Sequence, residues 1–320
     1  MTFSLLAVFR WDLLNTQIAS VTALAAAACA VPGTLLFVRR QSLLGDAISH
    51  TALLGMIGGF LFASQMVAFG VISPDTRHDW EGLFFSAGAM LVGVATAILS
   101  EWVSARAKVD STAALGIAYA TAFALGLLLL ENYARNAHID PEHILFGQVE
   151  LAADHTYGRS DVPRAAVTSG VLFLLNAAVV GLVLKELRLV SFDPGFATTL
   201  GYKPRLIGWA LAAVVSATLI TVFEAVGLIL PIAMLITPAA AARCWTDRLG
   251  RLLVLSVVIG TTTGVLGHLA AVGVPALIEA ATGAEKIPQT GTAGTTALLG
   301  GLVFLASLYL GPRGRLSVWR

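Results

Sequence analysis

Charge is what this sequence has least of. Only 12% of its 320 residues are Asp, Glu, Lys or Arg, about half the share of a soluble domain. A water-facing surface cannot be made from so few charges, which excludes a soluble enzyme and a disordered regulator. Neither sign dominates: Lys plus Arg is 20 and Asp plus Glu is 19, so no basic face is available to grip nucleic acid. Cysteine is nearly absent. Cys29 lies in an apolar run and Cys244 beside a basic cluster, and their spacing suggests neither a disulfide framework nor a zinc site. They read as two unpaired thiols.

Signatures of self-contained chemistry are missing too. There is no G-x-x-x-x-G-K-[ST] loop, no H-E-x-x-H and no G-x-S-x-G, and none of the four lysines follows a glycine. The chain is not expected to be an enzyme or to hold a permanent cofactor. Energy for active transport would come from a partner or an ion gradient.

What remains is apolar: 57% hydrophobic residues and a mean hydropathy of +0.83. The charge-free stretches are 13–38, 51–74, 82–100, 111–130, 165–184, 206–223, 225–242, 252–278 and 287–312. Most approach the ~20 residues that cross a bilayer. The expected fold is all-α: a polytopic membrane helical bundle of about 8–9 transmembrane helices, forming a single transmembrane domain over 1–320. The second helix is expected to start near Gln41, with Asp46 inside it. Only Glu224 divides the sixth and seventh stretches, so eight spans plus a re-entrant piece is the competing count.

Nine spans put 14 Lys and Arg residues on one side and six on the other, so the richer side is cytoplasmic. The C-terminus is then inside and the N-terminus outside. The first apolar run is too long for a cleavable leader and ends at Arg39–Arg40, so it reads as a span that stays, with Pro32–Gly33 suggesting a kink. Segments 65–81 and 131–164 become extracytoplasmic loops, and 186–205 a cytoplasmic loop. Within 131–164 the patch Ile144-Leu145-Phe146-Gly147 is too short to span and reads as re-entrant or interfacial. Its His138, His143, His155, Asp140, Glu142, Asp154 and Asp161 make an acidic outer segment, read first as a solvated loop. Gly55, Gly58 and Gly59 cluster in the second span, as expected where helices approach closely.

Two places carry chemistry. Asp46 and His50 stand four residues apart on one helix face at the start of an otherwise apolar span. A carboxylate and an imidazole on one face can chelate a divalent transition metal. The pair can equally be a satisfied contact between two helices. The second place is Phe192-Asp193-Pro194-Gly195-Phe196-Ala197-Thr198-Thr199-Leu200-Gly201. Asp193 and Pro194 suit a helix start and Gly201 its stop. Phe196 and Leu200 form a short apolar face, fit for a soluble partner or for lying on lipid. His268 reads as a buried neutral histidine bonded across helices, and Glu224 as a solvated turn or a gate.

The order of these segments resembles the permease subunit of the ATP-binding-cassette importers that bring in manganese, zinc or iron. Arg39-Arg40-Gln41-Ser42-Leu43-Leu44-Gly45-Asp46-Ala47-Ile48-Ser49-His50 is similar to the family's basic pair followed by LLGDALSHA. Lys108-Val109-Asp110-Ser111-Thr112-Ala113 with Leu115-Gly116-Ile117, then His143 to Gly147, then Phe192 to Gly201 (family DPEFARALG), follow in order. Val226 to Leu230 and Thr237 to Arg243 complete the series. The resemblance implies that Asp46 and His50 lie on the metal path. It implies that Phe192, Asp193, Pro194, Phe196, Leu200 and Gly201 couple to an ATPase. Its partners would be a cytoplasmic ATP-binding subunit, an extracytoplasmic metal-binding protein and a second permease, identical or paralogous. The setting would be the bacterial inner membrane, with the bilayer itself as a further partner and the metal as transported substrate. Three departures stand out: Gln289 to Gly294 replaces the family's DLPSGP turn, the two outer loops are long, and Tyr119 stands where some zinc-type members carry His. The competing mechanism is an ion-gradient-driven secondary metal carrier, which should show inverted repeats; none is evident.

Overall fold

The computed structural model describes residues 12–71, 73, 77–133, 149, 162–282 and 290–314. Among them are eleven helices. They are α1 (Leu13–Val38), α2 (Leu43–Ala68), α3 (Arg77–Ala107), α4 (Ser111–Tyr133), α5 (Arg164–Leu182), α6 (Leu184–Phe192), α7 (Pro194–Thr199), α8 (Pro204–Val226), α9 (Ile229–Arg243), α10 (Leu249–Thr282) and α11 (Thr292–Leu310). Eight are long and apolar enough to cross a membrane. The all-α membrane bundle expected from the sequence is the fold observed.

The seventh apolar stretch, 225–242, is where the two counts diverge. It forms α9, which has 15 residues and rises about 22 Å, less than the ~30 Å hydrocarbon core. The chain breaks at Gly227, whose φ is +76°, a left-handed conformation that favours glycine. The break shortens a stretch that hydropathy alone reads as continuous. The connections at 65–81 and 131–164 are also shorter than the polar composition suggests. Residues 65–68 belong to α2 and 77–81 to α3, and 131–133 extend α4, because the i→i−4 ladder carries on into polar sequence past the apolar run. The Ile144–Gly147 patch and the histidines and acids of 134–161 lie outside the described residues, apart from Val149.

Two compact units divide the chain. One contains α1, α5, α9, α10 and α11; the other contains α2, α3, α4, α6, α7 and most of α8.

In the first unit α1 is the central element, buried over 78% of its most apolar window. Its run Ala25-Ala26-Ala27-Ala28-Cys29-Ala30 is wholly buried, and such small side chains let neighbouring backbones come close. Thr22 Oγ1 reaches Gly264 O of α10 at 3.3 Å. Asn176 Nδ2 of α5 donates to Ala28 O at 3.2 Å. α1 runs unbroken as a helix through Pro32. Gly33 serves a contact: a Cβ there would strike the backbone of Leu235 in α9. Replacing Gly33 with valine would force those backbones apart, at a cost of about 3 kcal/mol or more. The yield of monodisperse protein in detergent is expected to collapse for Gly33→Val and to hold for Gly58→Ala, which faces open space. Equal yields would refute the contact.

In the second unit α2 lies against α3 and α4. Gly55 and Gly59 carry that approach, since a Cβ at either would meet the α3 backbone at Gly88–Ala89 or Phe84. Gly58, grouped with them by sequence, touches nothing. Helix α2 is thus held at fixed depth on two neighbours, with Asp46 in its first turn.

Candidate functional site

Asp46 and His50 occupy successive turns of α2. Asp46 Oδ1 lies 3.6 Å from His50 Nε2, and each side chain is 38% exposed. That separation exceeds a good hydrogen bond. The two groups are therefore not tied to each other and remain accessible on one face. The neighbouring hydroxyls are engaged by the helix backbone: Ser49 Oγ donates to Gly45 O at 2.8 Å and Thr51 Oγ1 to Ile48 O at 3.1 Å. Asp46 is also the acid of the first turn, where the helix dipole favours a negative charge.

The surroundings of His50 are aromatic. Its ring stacks on Tyr119 of α4, with centroids 5.8 Å apart and planes at 22°. Phe123, one turn further along α4, meets it edge-on at 5.7 Å. These contacts fix the imidazole plane. Phe123 gave no signal in the sequence; Tyr119 signalled only as a departure from the zinc-type pattern. A carboxylate and an oriented imidazole are two groups that could ligate a cation. Among the described residues no group of three or more His, Cys, Asp or Glu could hold a metal ion.

The second candidate region is built by local capping. Asp193 Oδ1 accepts from Phe196 N at 2.9 Å, and Pro194 occupies the first turn of α7. At the other end Gly201, with φ +86°, closes a Schellman motif: Tyr202 N donates to Ala197 O and Gly201 N to Thr198 O, both at 3.0 Å. The two caps hold a six-residue helix that would be unstable alone. Ala197 is its buried anchor. Phe192, Phe196 and Leu200, spaced by four, are 58%, 53% and 56% exposed. The stripe is flanked in the chain by Lys185, Arg188, Lys203 and Arg205.

The remaining candidates sit apart from both places in the chain. His268 of α10 is buried in the first unit. Its Nδ1 lies 3.1 Å from Thr292 Oγ1 of α11 and its Nε2 3.2 Å from Asn15 Oδ1 of α1. It is a buried histidine bonded across helices. Glu224 is exposed in the last turn of α8. Cys29 and Cys244 are buried free thiols.

A family model described as the ABC 3 transport family matches residues 12–287. The manganese transport system membrane protein MntD of Bacillus subtilis is 35% identical over 243 residues, 75% of this chain and 77% of that protein. The zinc transport system membrane protein TroD of Treponema pallidum is 32% identical over 227 residues, 70% of this chain and 58% of that protein. A solved structure titled PsaBC from Streptococcus pneumoniae in complex with Fab shares the fold, with a TM-score of 0.70, 23% identity and complete coverage of both chains.

Proposed function

Since the chain belongs to the ABC 3 transport family, we propose that it is the membrane permease subunit of an importer for a divalent transition metal ion: manganese, zinc or iron. The observation that carries this reading is the Asp46–His50 pair, an open carboxylate and an oriented imidazole on one face of an otherwise apolar helix. Ionisable groups inside a span are costly and ordinarily line a pathway. Oxygen and nitrogen donors suit all three metals.

The protein is a multi-pass membrane protein, and its setting is the bacterial cytoplasmic membrane. Two permeases, identical or paralogous, flank the pathway, and the second chain brings further ligands to the incomplete set. An extracytoplasmic metal-binding protein delivers the ion to the outer side. A cytoplasmic ATPase receives the α7 stripe in a groove. ATP binding draws two such stripes together, tilts the helices and switches the pathway between its two openings. Asp46 and His50 hold the ion only during that passage, so weak two-ligand contact per chain favours release.

The reading is tested in cells with and without the gene, starved of each metal in turn. Cellular content of one of manganese, zinc or iron is expected to fall in the deletion strain and to recover on complementation. Unchanged content of all three would overturn it.

A further inference from the structure

Within the second unit a cleft of about 430 Å³ opens between the basic-side ends of α2, α3, α4 and α8. Its wall includes Arg40, Ser42, Leu43, Glu101, Arg205 and Trp209, none of which the transport reading uses. The charges are unevenly met. Glu101 Oε2 accepts from Trp209 Nε1 at 2.8 Å, and the Arg39 guanidinium lies close by: Arg39 Nη2 and Glu101 Oε1 come within 3.1 and 3.5 Å of where a Gly208 Cβ would stand. Arg40 and Arg205 make no ion pair among the described residues. Arg39 Nη1 is buried with no hydrogen-bond partner, and burial pulls that guanidinium down from its ordinary value while Glu101 opposes the shift. Arg40 stands at φ +57°, a costly backbone for a residue with a Cβ. The Ser42 hydroxyl, at the start of α2, makes no capping bond.

The cleft's level is set by aromatic residues. Trp102 is 56% exposed one residue beyond Glu101, and the Arg106 guanidinium sits 5.7 Å over its ring. Trp209 and the exposed Tyr202 lie on the same side of the sequence-derived topology. Such residues mark the headgroup layer. Leu43 is 52% exposed at the cleft, an apolar surface available to an acyl chain. Basic clefts between helices at the cytoplasmic face suit acidic headgroups.

We propose that this cleft binds the phosphate of an anionic phospholipid, with Arg40 and Arg205 as the cations and Ser42 as a hydroxyl donor. The occupant is a lipid rather than a free anion because the unmet charge lies at headgroup depth beside exposed leucine.

The test is native mass spectrometry of the delipidated full chain in detergent, titrated with phosphatidylglycerol, phosphatidylcholine or inorganic phosphate. One phosphatidylglycerol is expected to bind in preference to phosphatidylcholine. The Arg40→Gln/Arg205→Gln variant should bind it about 30-fold more weakly, from about tenfold per 1.4 kcal/mol and about 1 kcal/mol for each interfacial cation. Arg40→Lys/Arg205→Lys should recover most of the loss, and Lys185→Gln/Arg188→Gln, outside the cleft, should bind as the native chain does. Unfolding temperatures in detergent separate a lost site from a lost fold. Equal binding of the two lipids, equal behaviour of the two glutamine variants, or displacement of the lipid by equimolar phosphate would overturn the proposal. So would unaltered lipid binding combined with loss of the co-purifying ATPase, which would assign the cleft to a protein.

Discussion

Asp46→Ala is expected to reduce metal uptake to background while the complex still assembles. The alanine would remove the only carboxylate of the proposed ligand pair and leave His50 as a single donor. Its structural cost is small. Asp46 is 38% exposed and accepts no capping bond, so the loss is mainly its favourable place near the helix N-terminus, worth about 0.3–1 kcal/mol. That is too little to unfold a membrane protein whose α2 is held on two neighbours. Asp46→Asn keeps the shape, removes the charge and should fail as well. Uptake is read in cells with radiolabelled manganese, zinc or iron, and assembly by co-purification. Native uptake in either variant would remove Asp46 from the path.

Phe196→Asp should uncouple the ATPase without damaging the permease. Phe196 is 53% exposed, and the α7 caps use backbone groups and the Asp193 side chain, so the helix survives the change. Losing one buried phenylalanine at an interface costs about 1.5–3 kcal/mol, and the added carboxylate must be desolvated as well. The ATPase should no longer co-purify, and uptake should fall with it. Leu200→Asp should behave alike. If α7 instead lies on lipid, co-purification and uptake would both persist, and the coupling assignment would fall.

The sequence revealed local and charge-based features and missed those made between helices. The first span is bounded at residues 13–38 by charge alone, and α1 has those limits, because charges are excluded from hydrocarbon. The Asp193 cap and the Gly201 stop were legible because their partners lie within six residues. The placement of Asp46 within α2 was legible for the same local reason. The aromatic slot around His50 was not. Tyr119 and Phe123 are 69 and 73 residues away, and no periodicity announces that α2 and α4 meet there. Nor could the sequence separate Gly55 and Gly59, which carry the α2–α3 contact, from Gly58, which does not. The shortness of α9 was hidden because Val226, Gly227 and Leu228 are apolar, and hydropathy is blind to a left-handed φ.

The two cysteines have a practical consequence. Cys29 is 0% and Cys244 6% exposed, and neither is in a disulfide. Cys29 stands one turn before Gly33 on the innermost helix of its unit. A maleimide should leave both thiols unmodified in folded protein and label Cys29 only when α1 leaves its neighbours. The native chain therefore supplies its own dark background for single-cysteine scanning: a reporter thiol introduced at residue 196 or 200 could be followed during turnover without first removing either natural one.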